Sequence, residues 1–240
     1  MIISAVAAAT VAAAASAAGY QTMAPTGQWY GRTFCGLPQS SEQLALTYDD
    51  GPNDPHTLKL LDVLAKHNVK ATFFLIGRYV RMRPDIVREL VQAGHVVGNH
   101  TQNHPLLIFQ PAERVRRELE ECQAAISETI GSPAMLFRPP FGGRRPAVMR
   151  IVGEMAMKAV MWNITGYDWN AKSADDIENM VSRRVRGGNV ILLHDGGHLK
   201  MGADRSRTVE ATERLIKKFH AQGYSFVTVQ QMLDQQRAAN

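Results

Sequence analysis

Asp49 and Asp50 stand side by side near the end of LALTYDDGPNDP, residues 44–55. The residues before them, Leu44 to Tyr48, are apolar and β-forming with no helical period, so the two carboxylates close a buried strand. Two adjacent like charges repel, and desolvation makes each more costly. A metal ion or an arginine relieves both problems, and the rest of the chain offers candidates for each. His100-Thr-Gln-Asn-His104 sets two imidazoles four residues apart, on one face of a helical turn or converging in a tight loop. Alone, the pair reads equally well as surface or capping histidines; its place at a strand end, directly after Gly98-Asn99, favours ligands. With Asp50 it makes an Asp-His-His set, three ligands that leave positions open for water or substrate, as in a catalytic metal site. Asp49 is then free to act as general base on water. DDGPNDP lacks the spacing of an EF-hand calcium loop.

LFRPPFGG, residues 136–143, carries Arg138 at another strand end, where a guanidinium can pair with a carboxylate; Asp49 is the obvious partner. Its prolines and glycines make a rigid turn whose backbone N–H groups can face a developing oxyanion. WNITGYDW, residues 162–169, combines aromatics with Asp168, and VILLHDGG, residues 190–197, presents His194 after an apolar strand. A histidine oriented by a carboxylate makes a general acid, because the carboxylate favours the imidazolium. Each of these also has an ordinary reading: a surface arginine, a satisfied histidine, core tryptophans. Jointly the ordinary readings must explain five coincidences on one edge.

The elements that must position these groups alternate. Strands read over QLALTYDD, KATFFLIG, HVVGNH, AMLFRPP, KAVMWNI, NVILLHD and YSFVTV; between them run HTLKLLDVLAKHN, PDIVRELVQAG, PAERVRRELEECQAAISETIG, RPAVMRIVGEMA, SADDIENMVSRRV and TVEATERLIKKFHAQG, with QQMLDQQ last. Pro111 and Gly131 punctuate the long helix, and Ser173 is an N-cap candidate. Near-continuous apolar strands alternating with helices imply a parallel sheet covered by helices, an α/β fold with seven or eight units favouring a closed barrel over an open sheet. The unusual residues fall at the C-terminal ends of the strands, the edge where such folds build active sites.

Composition sets the frame. The 240 residues are 45% hydrophobic and 20% charged, an ordinary globular balance. Net charge is +5, but the basic runs RVRR and RRVR lie in helical segments with no nucleic-acid motif. The two cysteines, Cys35 and Cys122, form no C-x-x-C pair, which excludes a cysteine zinc site, and nothing in the sequence decides whether they pair with each other. Residues 1–18 are apolar, uncharged and end in Ala15-Ser16-Ala17, which reads as a secretory signal or N-terminal anchor rather than a stable membrane span. Residues 19–42 read as a linker or N-terminal wrap, and 43–240 as the folded domain.

TYDDGP, HTQNH, RPPF, DW and LLH, in this order and spacing, resemble the five motifs of the polysaccharide deacetylase family, the NodB homology domain or carbohydrate esterase family four, over roughly residues 43–232. The resemblance implies a distorted (β/α) barrel and metal-dependent removal of N- or O-acetyl groups from sugars, foremost the N-acetyl groups of N-acetylglucosamine glycans such as peptidoglycan or chitin; the N-terminal segment and the basic charge fit a secreted or cell-envelope location and an envelope glycan, with chitin oligomers and acetyl-xylan also open. It implies Asp49 as base; Asp50, His100 and His104 as ligands of a divalent metal, best Zn²⁺, with Co²⁺ or Ni²⁺ as alternatives; and Arg138 as the arginine that orients the base. It further implies the Phe141 N–H at the oxyanion, His194 as acid with Asp168 its partner, and Trp169 and Leu192 as walls for the acetyl methyl. Two departures stand out: Tyr48 replaces the commoner Phe, and Thr165 stands where many members carry a further acid. A cyclic amide or imide hydrolase on the same barrel and a non-catalytic carbohydrate-binding relative are the rival readings.

Overall fold

The computed structural model describes residues 2–238; Met1, Ala239 and Asn240 lie outside the described residues, and with them the outer limits of the segments expected over 1–18 and 43–240. A parallel sheet curls into a distorted barrel. Its strands are β1 (Gln43–Gly51), β2 (Thr72–Leu75), β3 (Val96–Asn99), β4 (Leu136–Phe137), β5 (Lys158–Ala159), β6 (Ile164–Thr165), β7 (Val190–His194) and β8 (Ser225–Phe226). The spatial order is β5-β4-β3-β2-β1-β7-β6, with β8 beside the start of β1. The helices are α1 (Ile2–Met23), α2 (His56–Lys66), α3 (Gly77–Met82), α4 (Pro84–Gln92), α5 (Ala112–Ile130), α6 (Pro146–Glu154), α7 (Ala174–Ser182), α8 (Ser206–Ala221) and α9 (Val229–Ala238). No helix among the described residues is long and apolar enough to cross a membrane.

The strand expected over KAVMWNI is one run that changes neighbours. It begins as β5 on β4 and ends as β6 on β7, so a single segment brings the two sheet edges together. At this seam Phe34 pairs with Val160 and Gly36 with Asn189, which lays residues 34–36 across the gap. The strand expected over YSFVTV is shorter than its pattern, because Val229 already opens α9 and donates its N–H to Thr72 Oγ1. α3 has too few residues to show a helical period, and it follows directly on the apolar strand β2.

Side-chain alternation divides the sheet into two faces. Leu44, Leu46, Tyr48, Phe73, Leu75, Val97, Ile191 and Leu193 point outward, into the larger core that the covering helices complete. Ala45, Phe74, Leu136, Val160 and Val190 point inward, where Val229, Met232 and Leu233 of α9 close the base of the barrel. Each large apolar side chain buried in this way contributes about 1.5–3 kcal/mol. The inward set continues up the same strands to Thr47 and Asp49, Arg138, and Leu192 and His194. The polar groups therefore stand on an apolar floor by strand parity alone.

Local signals end the helices as expected. α5 stops at Gly131, whose φ of +79° is the left-handed cap conformation. α7 starts with a capping box: Ser173 Oγ accepts from Asp176 N–H, and Asp176 accepts from Ser173 N–H. Ser173→Ala is expected to cost about 1 kcal/mol, read as a lower urea midpoint at unchanged slope. Tyr48, the departure from Phe, buries its hydroxyl against Thr212 Oγ1 on α8 at 3.0 Å, so the extra polar atom is satisfied. Cys35 and Cys122 are both free thiols.

Candidate functional site

Consecutive residues of a regular strand point to opposite faces, so Asp49 and Asp50 should not meet in one pocket. The ladder between β1 and β2 slips between Asp49 and Gly51, and Asp50 takes a φ of +73°. This bulge swings Asp50 round to the cavity that Asp49 already faces. Gly51 allows it to pack there, because a Cβ at that position would lie 2.1 Å from Asp195 Oδ2.

The cavity is about 480 Å³ and opens at the C-terminal ends of the strands. Asp49, Asp50, His100, His104, Phe141, Trp169, Leu192 and His194 all line it; Arg138 and Asp168 stand behind as buried supports. Every site residue expected from the sequence is thus gathered at one place. His100 follows β3. His104 comes not from a helical turn but from a loop in which Thr101 and His104 have φ of +69° and +60°. Hydrogen bonds from Thr101 N–H to Asn99 Oδ1 and from His104 N–H to Thr101 Oγ1, both 2.9 Å, shape that loop. Glu118, buried on α5, accepts from the backbone and side chain of Asn103.

Asp50 Oδ1 lies 3.6 Å from His100 Nε2 and 3.3 Å from His104 Nε2. His100 Nδ1 is 2.8 Å from the Arg138 carbonyl, which can only accept, so Nδ1 carries a proton and Nε2 is the nitrogen turned towards Asp50. Burial, then the charges of neighbouring histidines, pushes the His104 pKa far below its ordinary value, so this imidazole is neutral. Asp50 Oδ1 is itself buried with no hydrogen-bond partner among the described residues. Two imidazole nitrogens and an orphaned carboxylate oxygen converge, and a cation fits there. The three ligand atoms lie within 4.8 Å of one another, an arrangement that can hold a divalent metal.

Arg138 is fully buried. Its Nη1 donates to Asp49 Oδ1 and Thr47 Oγ1, both at 2.8 Å, and its other nitrogens reach the carbonyls of Val160 and Met161 at the seam. The guanidinium also lies 4.1 Å from the centroid of the Phe74 ring. One side chain therefore fixes the carboxylate and ties down the segment that closes the barrel.

His194 is held as firmly. Asp168 Oδ1 lies 2.9 Å from its Nδ1, Asp168 Oδ2 accepts its backbone N–H at 2.7 Å, and Thr208 Oγ1 donates to Oδ2 at 2.8 Å. Burial disfavours the charged ring, but the Asp168 charge and hydrogen bond, with Asp50 and Asp49 beyond, outweigh it and raise the His194 pKa to about 9. Asp168 shifts the other way: burial pushes it up, and the His194 charge and the donated hydrogen bonds overcome this and lower it. His194 is therefore protonated at neutral pH and loses its proton as pH rises through about 9. Asp168→Asn is expected to bring that midpoint down by about one to three pH units, followed by NMR titration of the imidazole; an unchanged midpoint would contradict the pairing.

Sequence reasoning missed several supports. Glu118 interrupts the apolar stripe Val115, Leu119, Cys122, Ile126 of α5, a readable sign of a buried carboxylate with a task. His198 and Arg205 also line the cavity, and nothing in their sequence context marks them. Asp195, which the sequence does place beside His194 at a strand end, is buried beside Gly51; desolvation, aided by the Asp50 and Asp49 charges, raises its pKa to about 7 although Thr57 Oγ1 donates to it. Arg144 is buried and donates to the carbonyls of Ala24, Gly27 and Gly142, joining the N-terminal segment to the Phe141 turn.

Comparison with known proteins agrees with this geometry. The pattern describing polysaccharide deacetylases matches residues 37–160. A peptidoglycan-N-acetylglucosamine deacetylase of Bacillus cereus is 34% identical over 82% of this chain and 91% of its own length. A chitooligosaccharide deacetylase of Rhizobium leguminosarum bv. trifolii is 35% identical over 78% of this chain and 89% of its own. Among solved structures, a peptidoglycan N-acetylglucosamine deacetylase superposes with a TM-score of 0.77 at 35% identity, covering 83% of this chain and 91% of that one. A pseudoenzyme of carbohydrate esterase family 4 from Bacillus anthracis reaches 0.76 at 28% identity, covering 83% and 68%. On the shared barrel and the extent of these matches, the chain belongs to the polysaccharide deacetylase family.

Proposed function

We propose that the chain is a metal-dependent deacetylase of N-acetylglucosamine-type glycans, acting outside the cell or in the envelope on peptidoglycan or a chitin-like oligosaccharide. The observation that carries this reading is the meeting of two constellations in one cavity: the Asp50, His100, His104 set, and the Asp49–Arg138 pair facing it. The names of the relatives support the substrate class. Residues 43–240 supply the catalytic domain, and the apolar residues 1–18 act as signal or anchor.

Asp50, His100 and His104 would hold the metal, Zn²⁺ suiting two imidazoles and a carboxylate best. Such an ion supplies Lewis-acid polarisation of the acyl oxygen and makes water a better nucleophile near neutral pH. Asp49, aligned by Arg138, takes the proton from the attacking water. The Phe141 N–H, presented by a residue with φ of +57°, faces the developing oxyanion. His194, kept protonated by Asp168, gives its proton to the departing nitrogen, so that acetate and a free amine leave. Trp169 and Leu192 bound the space for the acetyl methyl, and the exposed faces of Phe141 and Trp169 leave the mouth open to a polymer.

The similarity to a pseudoenzyme makes a non-catalytic carbohydrate-binding relative the second reading. The presence of the base, the acid and the whole ligand set argues against it. The test is acetate release from chitopentaose, peptidoglycan and acetyl-xylan, with a cyclic imide as control. Acetate from an N-acetylated glycan is expected. Opening of the imide with no acetate from any glycan would overturn the reading in favour of an amidohydrolase.

A further inference from the structure

The two histidines of the candidate metal site are held in different ways. His100 is oriented by a hydrogen bond from Nδ1 to the Arg138 carbonyl at 2.8 Å. Metal-binding imidazoles nearly always have such an acceptor on the second nitrogen, which fixes ring direction and tautomer. His104 has none: its Nδ1 is buried and without a partner among the described residues. Packing takes its place. The His198 ring lies almost parallel to that of His104, 24° between planes and 4.7 Å between centroids. Phe141 meets His104 edge-on at 4.6 Å, and Phe141 and His198 meet each other at 5.3 Å, so the three rings form one contiguous group.

His198 sits on an outer loop and its side chain is 38% exposed, yet its backbone is pinned from several elements. Asn53 Nδ2 donates to the carbonyls of Asp195 and Ala203, and Asn53 Oδ1 accepts the Gly202 N–H. Arg205 Nε donates to the Gly196 carbonyl and Tyr79 Oη to that of Gly197. Arg78 donates to the carbonyl of His198 itself. A loop with its backbone groups satisfied on both sides of one side chain presents that side chain rigidly.

We infer that His198 is a positioning residue for the metal: it packs on the face of the His104 imidazole, beside Phe141, and by holding that ring in place sets the affinity of the site. It acts through the face of its ring and not as a ligand, since it falls outside the set of converging ligand atoms. This inference rests on the metal reading proposed above. The test measures Zn²⁺ affinity of the full chain by competition with a chromophoric chelator, for wild type, His198→Ala and His198→Phe, with thermal melting of each metal-free protein as a folding control. His198→Ala is expected to bind Zn²⁺ about tenfold more weakly, and His198→Phe, which keeps an aromatic face but no nitrogen, to restore the wild-type affinity. Equal affinity of wild type and His198→Ala would overturn the inference. A His198→Phe variant as weak as His198→Ala would overturn it too, because the nitrogen and not the ring would then matter. No Zn²⁺ binding by the wild type would remove the metal reading and this inference with it.

Discussion

Asp49→Asn is expected to lower turnover by about three orders of magnitude, within the range for loss of a general base, while Zn²⁺ binding stays near that of the wild type. The amide keeps the shape of the carboxylate and can still accept from Arg138 Nη1, now 2.8 Å from Asp49 Oδ1, but it cannot take a proton from water. Asp50, His100 and His104 are left in place, so the two effects separate. Steady-state acetate release gives the first and chelator competition the second. Residual turnover within tenfold of wild type would remove Asp49 from the chemistry; parallel loss of metal and activity would make it a ligand.

Arg138→Met should produce the largest loss of stability, about 3–5 kcal/mol, the cost of removing one partner from a buried ion pair. The side chain is fully buried, so no solvent screens its pairing with Asp49. Methionine fills part of the volume but leaves Asp49 uncompensated and the carbonyls of Val160 and Met161 without their donors. Those carbonyls belong to the segment that joins β5 to β6, so the damage reaches the barrel seam as well as the site. Arg138→Lys keeps a charge but not the planar fork, and is expected to recover only part of the loss. Urea unfolding measures both variants. A cost below about 1 kcal/mol for the methionine variant, typical of an exposed pair, would contradict the account.

Much of the site was legible because strand alternation is regular. Asp49 shares the parity of Ala45, Arg138 that of Leu136, and His194 that of Val190, so each stands above an inward-facing apolar residue of its own strand. Strand-end position and residue type then suffice to gather them. Asp50 defeats that logic: its parity points outward, and only the bulge and its positive φ turn it in. The HTQNH pair left helix and loop open, and positive φ at Thr101 and His104 makes it a loop. KAVMWNI read as one strand because nothing in its apolar run reveals a change of neighbour at the seam. His198 was invisible for a different reason: its place depends on hydrogen bonds from Asn53, Arg78, Tyr79 and Arg205, which come from separate parts of the chain. Glu118 could have been found, since a carboxylate on an apolar helical stripe needs partners.

The most direct test of a metal-dependent N-deacetylase is the stoichiometry of its products on chitopentaose or peptidoglycan before chelation, after chelation and after Zn²⁺ is restored. Acetate and free amine should appear one for one, vanish when the chelator strips the Asp50, His100, His104 site, and return with the metal. Acetate and amine that continue undiminished after the metal has been removed would contradict the account, because the chemistry would then belong to Asp49 and His194 without the ion that their arrangement serves.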